Sequence, residues 1–220
     1  MKEEDKTGPD PKKRIMDAAI RLFAARGYAA TGMRELASAA QVNLAMINYY
    51  YGSKRKILEM ILDEFFTRHT AIIAENLTAD IGPEEKLSRT IGAELAFFRE
   101  NPDLVLVALT EFPVDEPEIV EYKADYVRRV MALMVENALP LLEETTGMRL
   151  RPEILGPALI GMISSHFVFR PVVEKLIGGF DDEFYNDLKK TITRLLMYGL
   201  FGKCPDGPDP ADDSEGAPDA

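Results

Sequence analysis

An all-α fold is predicted for this chain: a three-helix N-terminal unit containing a helix-turn-helix, then a larger helical body. Three observations carry the prediction. Apolar residues recur at helical spacing, prolines and Asn, Asp and Ser residues stand where helices would start, and no alternating run or Asn-Gly hairpin signal occurs. At 220 residues the chain is long enough to bury a sizeable core in one or two domains.

Asp10-Pro11 reads as a cap followed by a proline at the first helical position. Ile15, Ala18, Ala19, Leu22 and Phe23 form the stripe of the first helix, which Gly27 closes. Lys12, Lys13 and Arg14 lead it, and they suit a nucleic-acid backbone or plain solvent equally. A second helix runs from Met33 to Ala40, with Met33, Leu36, Ala37 and Ala40 on one face and Arg34, Glu35 and Ser38 on the wet side. Gln41 and Val42 make a turn, and Asn43 caps a third helix over Leu44 to Tyr50, whose Ile47 packs inward with Val42. Gly52 ends it. Ser53 caps a fourth helix, which carries Ile57, Leu58, Ile61, Leu62 and Phe65 and reaches about Asn76. Gly82-Pro83 opens the next, with Leu87, Ile91, Leu95 and Phe98 inward, and Asn101-Pro102 stops it because the residue before a proline is pushed out of the helical region. Pro113 and Pro117 mark further breaks. Beyond them a long helix is expected from about Glu116 to Ala138, then two more over roughly Pro152 to Leu176 and Asp181 to Phe201.

Function is most legible between Thr31 and Leu58. Two short helices joined by a tight turn, followed by a basic helix start, have the layout of a DNA-reading helix-turn-helix. Lys54, Arg55 and Lys56 occupy the first turn of the fourth helix, where cations oppose the macrodipole; an external phosphate would relieve that cost and would also meet free backbone N–H groups. Net charge agrees once it is divided along the chain. Residues 1–60 hold 11 Lys and Arg against 7 Asp and Glu, a balance of +4, whereas the other 160 hold 15 against 30, a balance of −15. A basic head and an acidic body would orient the molecule on a polyanion. Double-stranded DNA is therefore the expected partner.

Arg14 to Phe66, including RIMDAAIRLFAARGYAATGMRELASAAQVNLAMINYYYGSKRKIL, resembles the DNA-binding domain of the tetracycline-repressor (TetR) family of bacterial transcription regulators. The resemblance is carried by the aliphatic-aromatic first helix, Gly27-Tyr28, Thr31, the run Tyr49-Tyr50-Tyr51, Gly52-Ser53-Lys54 and Leu58. The chain departs from the pattern at Gly32, where a Ser or Thr cap is usual, at Gln41 in place of a turn glycine, and at Asn48 in place of a frequent tyrosine. The resemblance implies a flexible N-terminus (1–10), a helix-turn-helix domain (11–54), a ligand-binding and dimerisation domain (55–202) and an acidic tail (203–220) whose Pro, Gly, Asp and Ala content cannot order it. It further implies a dimeric, cytoplasmic repressor of a palindromic operator, released by a small-molecule effector; the alternative readings are a ligand-responsive activator and an α-helical small-molecule carrier or enzyme. Base contacts are expected from Leu44, Ala45, Met46, Asn48 and Tyr49, since Asn suits the adenine edge and Ala or Met a thymine methyl. Phosphate contacts are expected from Thr31, Arg34, Tyr50 and Lys54.

In the body, the resemblance implies that the final two helices pair with the same helices of a second copy. Leu155, Leu159, Met162, Ile163 and Phe167 share one face, with Gly156, Gly161 and Ser164 permitting close approach, and Leu188, Ile192 and Leu195 line the last helix. The same residues suit the core of a monomer. An apolar effector pocket is expected from Phe97, Phe98, Phe112, Tyr122, Tyr126, Met131, Met134, Met162 and His166, although core packing accounts for each of them too. Two distant histidines and the single cysteine Cys204 supply no metal-ligand spacing, and no nucleophile-base set or glycine-rich phosphate loop occurs, so neither a cofactor nor an enzyme is expected. Met1 to Arg14 lacks an apolar signal-peptide core, and the run from Ile154 to Phe169 falls short of a membrane span. Helix-three variant Asn48→Ala is expected to relax preference at one base pair, and Lys54→Ala to weaken all sequences alike with a smaller salt slope, in gel-shift titrations.

Overall fold

Eleven α-helices and no strand occur among the residues described by a computed structural model of the chain, which are 10–111, 116–147, 149 and 151–199. The expected flexible N-terminus (except Asp10), the acidic tail and Phe112 lie outside the described residues.

The head consists of α1 (Pro11–Arg26), α2 (Met33–Ala39) and α3 (Leu44–Tyr50). Each start is capped as its residues dictate. Asp10 accepts from the Lys12 N–H at 3.0 Å and Asn43 from the Met46 N–H at 2.9 Å, while Gly32 at the start of α2 has no side chain to offer. Gln41 takes a φ of +53°, the left-handed conformation that a glycine would adopt without strain. Ile15, Ala19, Phe23, Leu36 and Ile47 are fully buried and hold the three short helices together.

The fourth helix, α4 (Lys54–Leu77), leaves the head and runs into the body; Ser53 caps it by accepting from the Lys56 N–H at 3.1 Å. Ile57, Leu58, Ile61, Leu62, Phe65, Phe66, His69, Ile73 and Leu77 are all buried along it. Around it lie α5 (Pro83–Glu100), α6 (Pro102–Thr110), α7 (Pro117–Asn137), α8 (Leu139–Thr146), α9 (Pro152–Val168), α10 (Arg170–Ile177) and α11 (Asp182–Tyr198). The α4 rod packs on α5, α6 and α7, α11 packs on α5, and α1 of the head rests on α6.

Two expectations need correction. The helix predicted over Pro152 to Leu176 is two helices, α9 and α10, bent by 71°. Pro171 lacks an N–H and its ring would strike the carbonyl four residues earlier, so α9 ends and the chain restarts with Val173 N–H on the Phe169 carbonyl at 3.0 Å. Likewise Pro140 divides the chain after α7, and α8 was not anticipated. Among the described residues, no single helix is long and apolar enough to cross a membrane.

Candidate functional site

On α3, one face turns inward and the other does not. Ile47 is wholly buried and Tyr51, its C-cap, is buried with its hydroxyl donating to the Lys12 carbonyl at 2.8 Å. Leu44, Ala45, Asn48 and Tyr49 are exposed; Tyr49 is 83% accessible and stands edge-on to Tyr50 at 5.1 Å. Met46 and Tyr50 are half-buried. An exposed tyrosine ring and amide beside two small or aliphatic side chains can offer hydrogen bonds and an apolar contact to base edges. Arg34 on α2 is exposed on the same head.

Two of the expected phosphate ligands are occupied inside the protein instead. Thr31 is 1% accessible, and its hydroxyl donates to the Gly27 carbonyl at 2.9 Å, so it stabilises the turn after α1. Lys54 directs its ammonium at the carbonyls of Tyr28 and Thr31, at 2.9 and 3.1 Å, and lies 4.3 Å from the centre of the Tyr28 ring. These carbonyls, left without helical partners where α1 gives way to α2, need a donor, and the lysine at the start of α4 supplies it. The basic first turn of α4 therefore has an internal explanation for Lys54.

Tyr28 also ties head to body. Its N–H donates to the Glu111 carboxylate at 3.0 Å and its hydroxyl to Glu116 at 2.7 Å, residues that flank the connection from α6 to α7. Glu111 ends α6, and buried Lys123 of α7 donates to the Ala108 carbonyl there at 2.9 Å and to that of Glu111. Burial pulls the Lys123 ammonium down to about 8, against the opposing pull of Glu111.

The body holds two adjoining cavities of about 320 and 300 Å³, sizes suited to a small molecule. The larger lies among α4, α5, α7 and α9 and is lined mostly by apolar side chains, including Ile73, Leu87, Val130, Met131, Met134 and Ile160. His69, Tyr126, Val127, Ile160 and Ser164 line both. Across this shared wall runs a buried polar row. The Tyr126 hydroxyl meets His69 Nδ1, and His69 Nε2 lies 2.9 Å from Glu94 Oε1. Burial, then the Glu94 charge, push the Tyr126 hydroxyl well above its ordinary range.

Of the residues expected to line a pocket, Tyr126, Met131 and Met134 border the larger cavity and Phe98 the smaller. The others are placed elsewhere. Phe97 packs against Phe65 and lies under Arg68, and Tyr122 donates to Asp63 in a separate surface groove between α4 and α7. Met162 is half-buried outside both cavity walls; the His166 ring turns back to the Met162 carbonyl at 3.1 Å on its own helix and faces Phe184. His69 and Glu94 were missed. Their signal was a polar residue on an apolar helix face, His69 within the four-spaced series Phe65, Ile73, Leu77 and Glu94 beside Ile91 and Leu95.

Residues 15–61 match the family model described as bacterial regulatory proteins, tetR family. The match lies in the head and the first turns of α4 and covers less than half of the chain. It is 32% identical over 117 residues to the uncharacterized HTH-type transcriptional regulator YerO of Bacillus subtilis, an alignment covering 51% of this chain and 40% of YerO. It thus spans less than two thirds of the length of the curated relatives it matches. Among solved structures, the fatty acid degradation regulator FadR of Bacillus halodurans superposes with a TM-score of 0.71 at 21% identity, over 90% of this chain and all of that one. FadR of Bacillus subtilis, solved with stearoyl-CoA, superposes with 0.68 at 18% identity, over 86% of this chain and 98% of that one. These likenesses show the fold over the covered part of the chain.

The expected dimer residues Ile163, Phe167, Leu188 and Ile192 are buried within the single subunit, and Leu155, Leu159 and Leu195 are half-buried. They pack toward α5 and the cavity: α9 is apolar over more than one face and α11 turns its single apolar face to the body, and the sequence stripe does not say which face meets the core. Left outward are Ile154, Pro157, Ala158 and Gly161 of α9, with Phe169, Val172 and Leu176 beyond it at 60, 60 and 78% accessibility.

Lys54→Ala is expected to lower the unfolding free energy by about 1–3 kcal/mol, since it removes the ammonium from the Thr31 and Tyr28 carbonyls, and to do so with urea whether or not DNA is present. A second expectation concerns Tyr51, whose hydroxyl is pushed up to about 12 by burial and then by Asp10, Asp17 and Glu64. The unfolded chain loses this proton near pH 10 while the folded one keeps it, so stability falls as pH rises from 10 to 12, by about 1–3 kcal/mol. Urea melts across that interval should show a shallower fall in Tyr51→Phe than in the parent.

Proposed function

We propose that the chain is a transcriptional repressor that binds a palindromic operator as a homodimer through α3 and leaves it when a small, largely apolar effector enters the body. The observation that carries this reading is the division of α3: a buried Ile47 anchor behind an open face of Leu44, Ala45, Asn48 and Tyr49. Asn48 and Tyr49, with Leu44, Ala45 and Met46, are its base-reading residues; Arg34 and Tyr50 are its phosphate contacts. Two such heads at a two-fold axis would meet half-sites about 34 Å apart. The outward apolar residues of α9 and α10 support a second copy as the covering partner, because Phe169, Val172 and Leu176 form an exposed stripe at helical spacing among the described residues.

The cavities support an apolar effector, and stearoyl-CoA, with which the Bacillus subtilis FadR of the same fold was solved, carries a long apolar chain. Named relatives include HTH-type transcriptional repressors, which favours repression over activation. No operator-binding protein of this kind needs catalysis or a cofactor, and a cytoplasmic location goes with the same reading. Selection of genomic duplex fragments on the purified protein tests it. Enrichment of a two-fold symmetric site, bound by a dimer in sedimentation and weakened by Asn48→Ala or Tyr49→Ala, is expected; enrichment of no duplex, or binding untouched by either variant, would refute it.

A further inference from the structure

The effector reading above leaves open what chemistry the cavity selects, and Glu94 bears on that. This carboxylate is 8% accessible and lines the larger cavity between apolar neighbours, Leu87 and Ile91 of its own helix among them. Among the described residues its hydrogen-bond partner is His69, through Oε1 alone. Both ring nitrogens of His69 are engaged, Nε2 with Glu94 and Nδ1 with Tyr126. With the Tyr126 hydroxyl donating to Nδ1, the ring presents Nε2–H to the Glu94 carboxylate. The second carboxylate oxygen is left to accept from whatever enters between the apolar walls.

We infer that this cavity takes an organic cation, its protonated nitrogen on the second oxygen of Glu94 and its apolar body against Met131, Met134 and Ile160. Neutral donors satisfy only the hydrogen bond, whereas a cation also neutralises the buried charge; a ligand carboxylate placed there would put two like charges in low dielectric. The Tyr126 ring on the same wall adds a face that attracts cations. The −15 balance of residues 61–220 raises the local concentration of cations around the body. The opposing group is Lys123 at the adjoining cavity, and its ammonium is bound to the carbonyls that end α6.

The test uses three probes of one chain length, decylammonium, decan-1-ol and decanoate, titrated calorimetrically into the full-length protein at neutral pH below their micelle concentrations. Decylammonium should bind at least roughly tenfold more tightly than decanoate, with decanol between them. Glu94→Gln keeps the volume and an acceptor for His69, and it should bring the ammonium-to-carboxylate ratio close to one. Decanoate binding as tightly as decylammonium in the parent, or a ratio that survives Glu94→Gln, would overturn the assignment while leaving an effector cavity in place. Binding of none of the three would overturn the cavity reading and this inference together.

Discussion

The structure depends on α4 being buried along its length in one continuous core that runs from head to body. Ile57, Leu58 and Ile61 close the head over Phe23 and Leu36, and Phe65, His69, Ile73 and Leu77 continue the same rod into the body. Its solvent face carries Arg55, Lys56, Asp63, Glu64, Arg68 and Glu75, while its buried face cannot turn at the head without disturbing the body. The larger cavity is bounded by its body end, at His69, Ile73 and Leu77. Anything that binds there with different affinity for two positions of α4 biases the position of α3 by the same free energy.

A second link runs beside the rod. Tyr28 gives its N–H and hydroxyl to Glu111 and Glu116, and its carbonyl takes the Lys54 ammonium. Head, rod and the α6–α7 connection therefore meet on one residue. These bonds are directional and partly buried, so the orientation of the head is set by polar geometry at the junction, while the apolar cores supply most of the stability.

Much of this was legible in the chain. Asp10, Asn43, Ser53 and Asp181 mark helix starts where caps form, because capping is a local matter of one side chain and the next three N–H groups. The head followed from a short-range pattern in which Ile47 alone among the α3 residues had to be buried. The body was less legible. An apolar stripe suits a core or an interface equally, so Ile163, Phe167, Leu188 and Ile192 could be assigned to either, and within one subunit they are buried. The reversal at Lys54 has another origin: a basic turn looks the same whether its acceptors are phosphates or carbonyls more than twenty residues away.

Sequence by itself determined the all-helical class, the order of most elements, the helix-turn-helix and its readable face, since these rest on local propensity, capping and periodicity. Only the tertiary structure decided where Lys54 and Thr31 spend their hydrogen bonds, which faces of α9 and α11 are covered, and that His69, Glu94 and Tyr126 meet in one buried row from three helices. Such pairings join residues distant along the chain, and their energy comes from shared exclusion of water, which no single segment encodes.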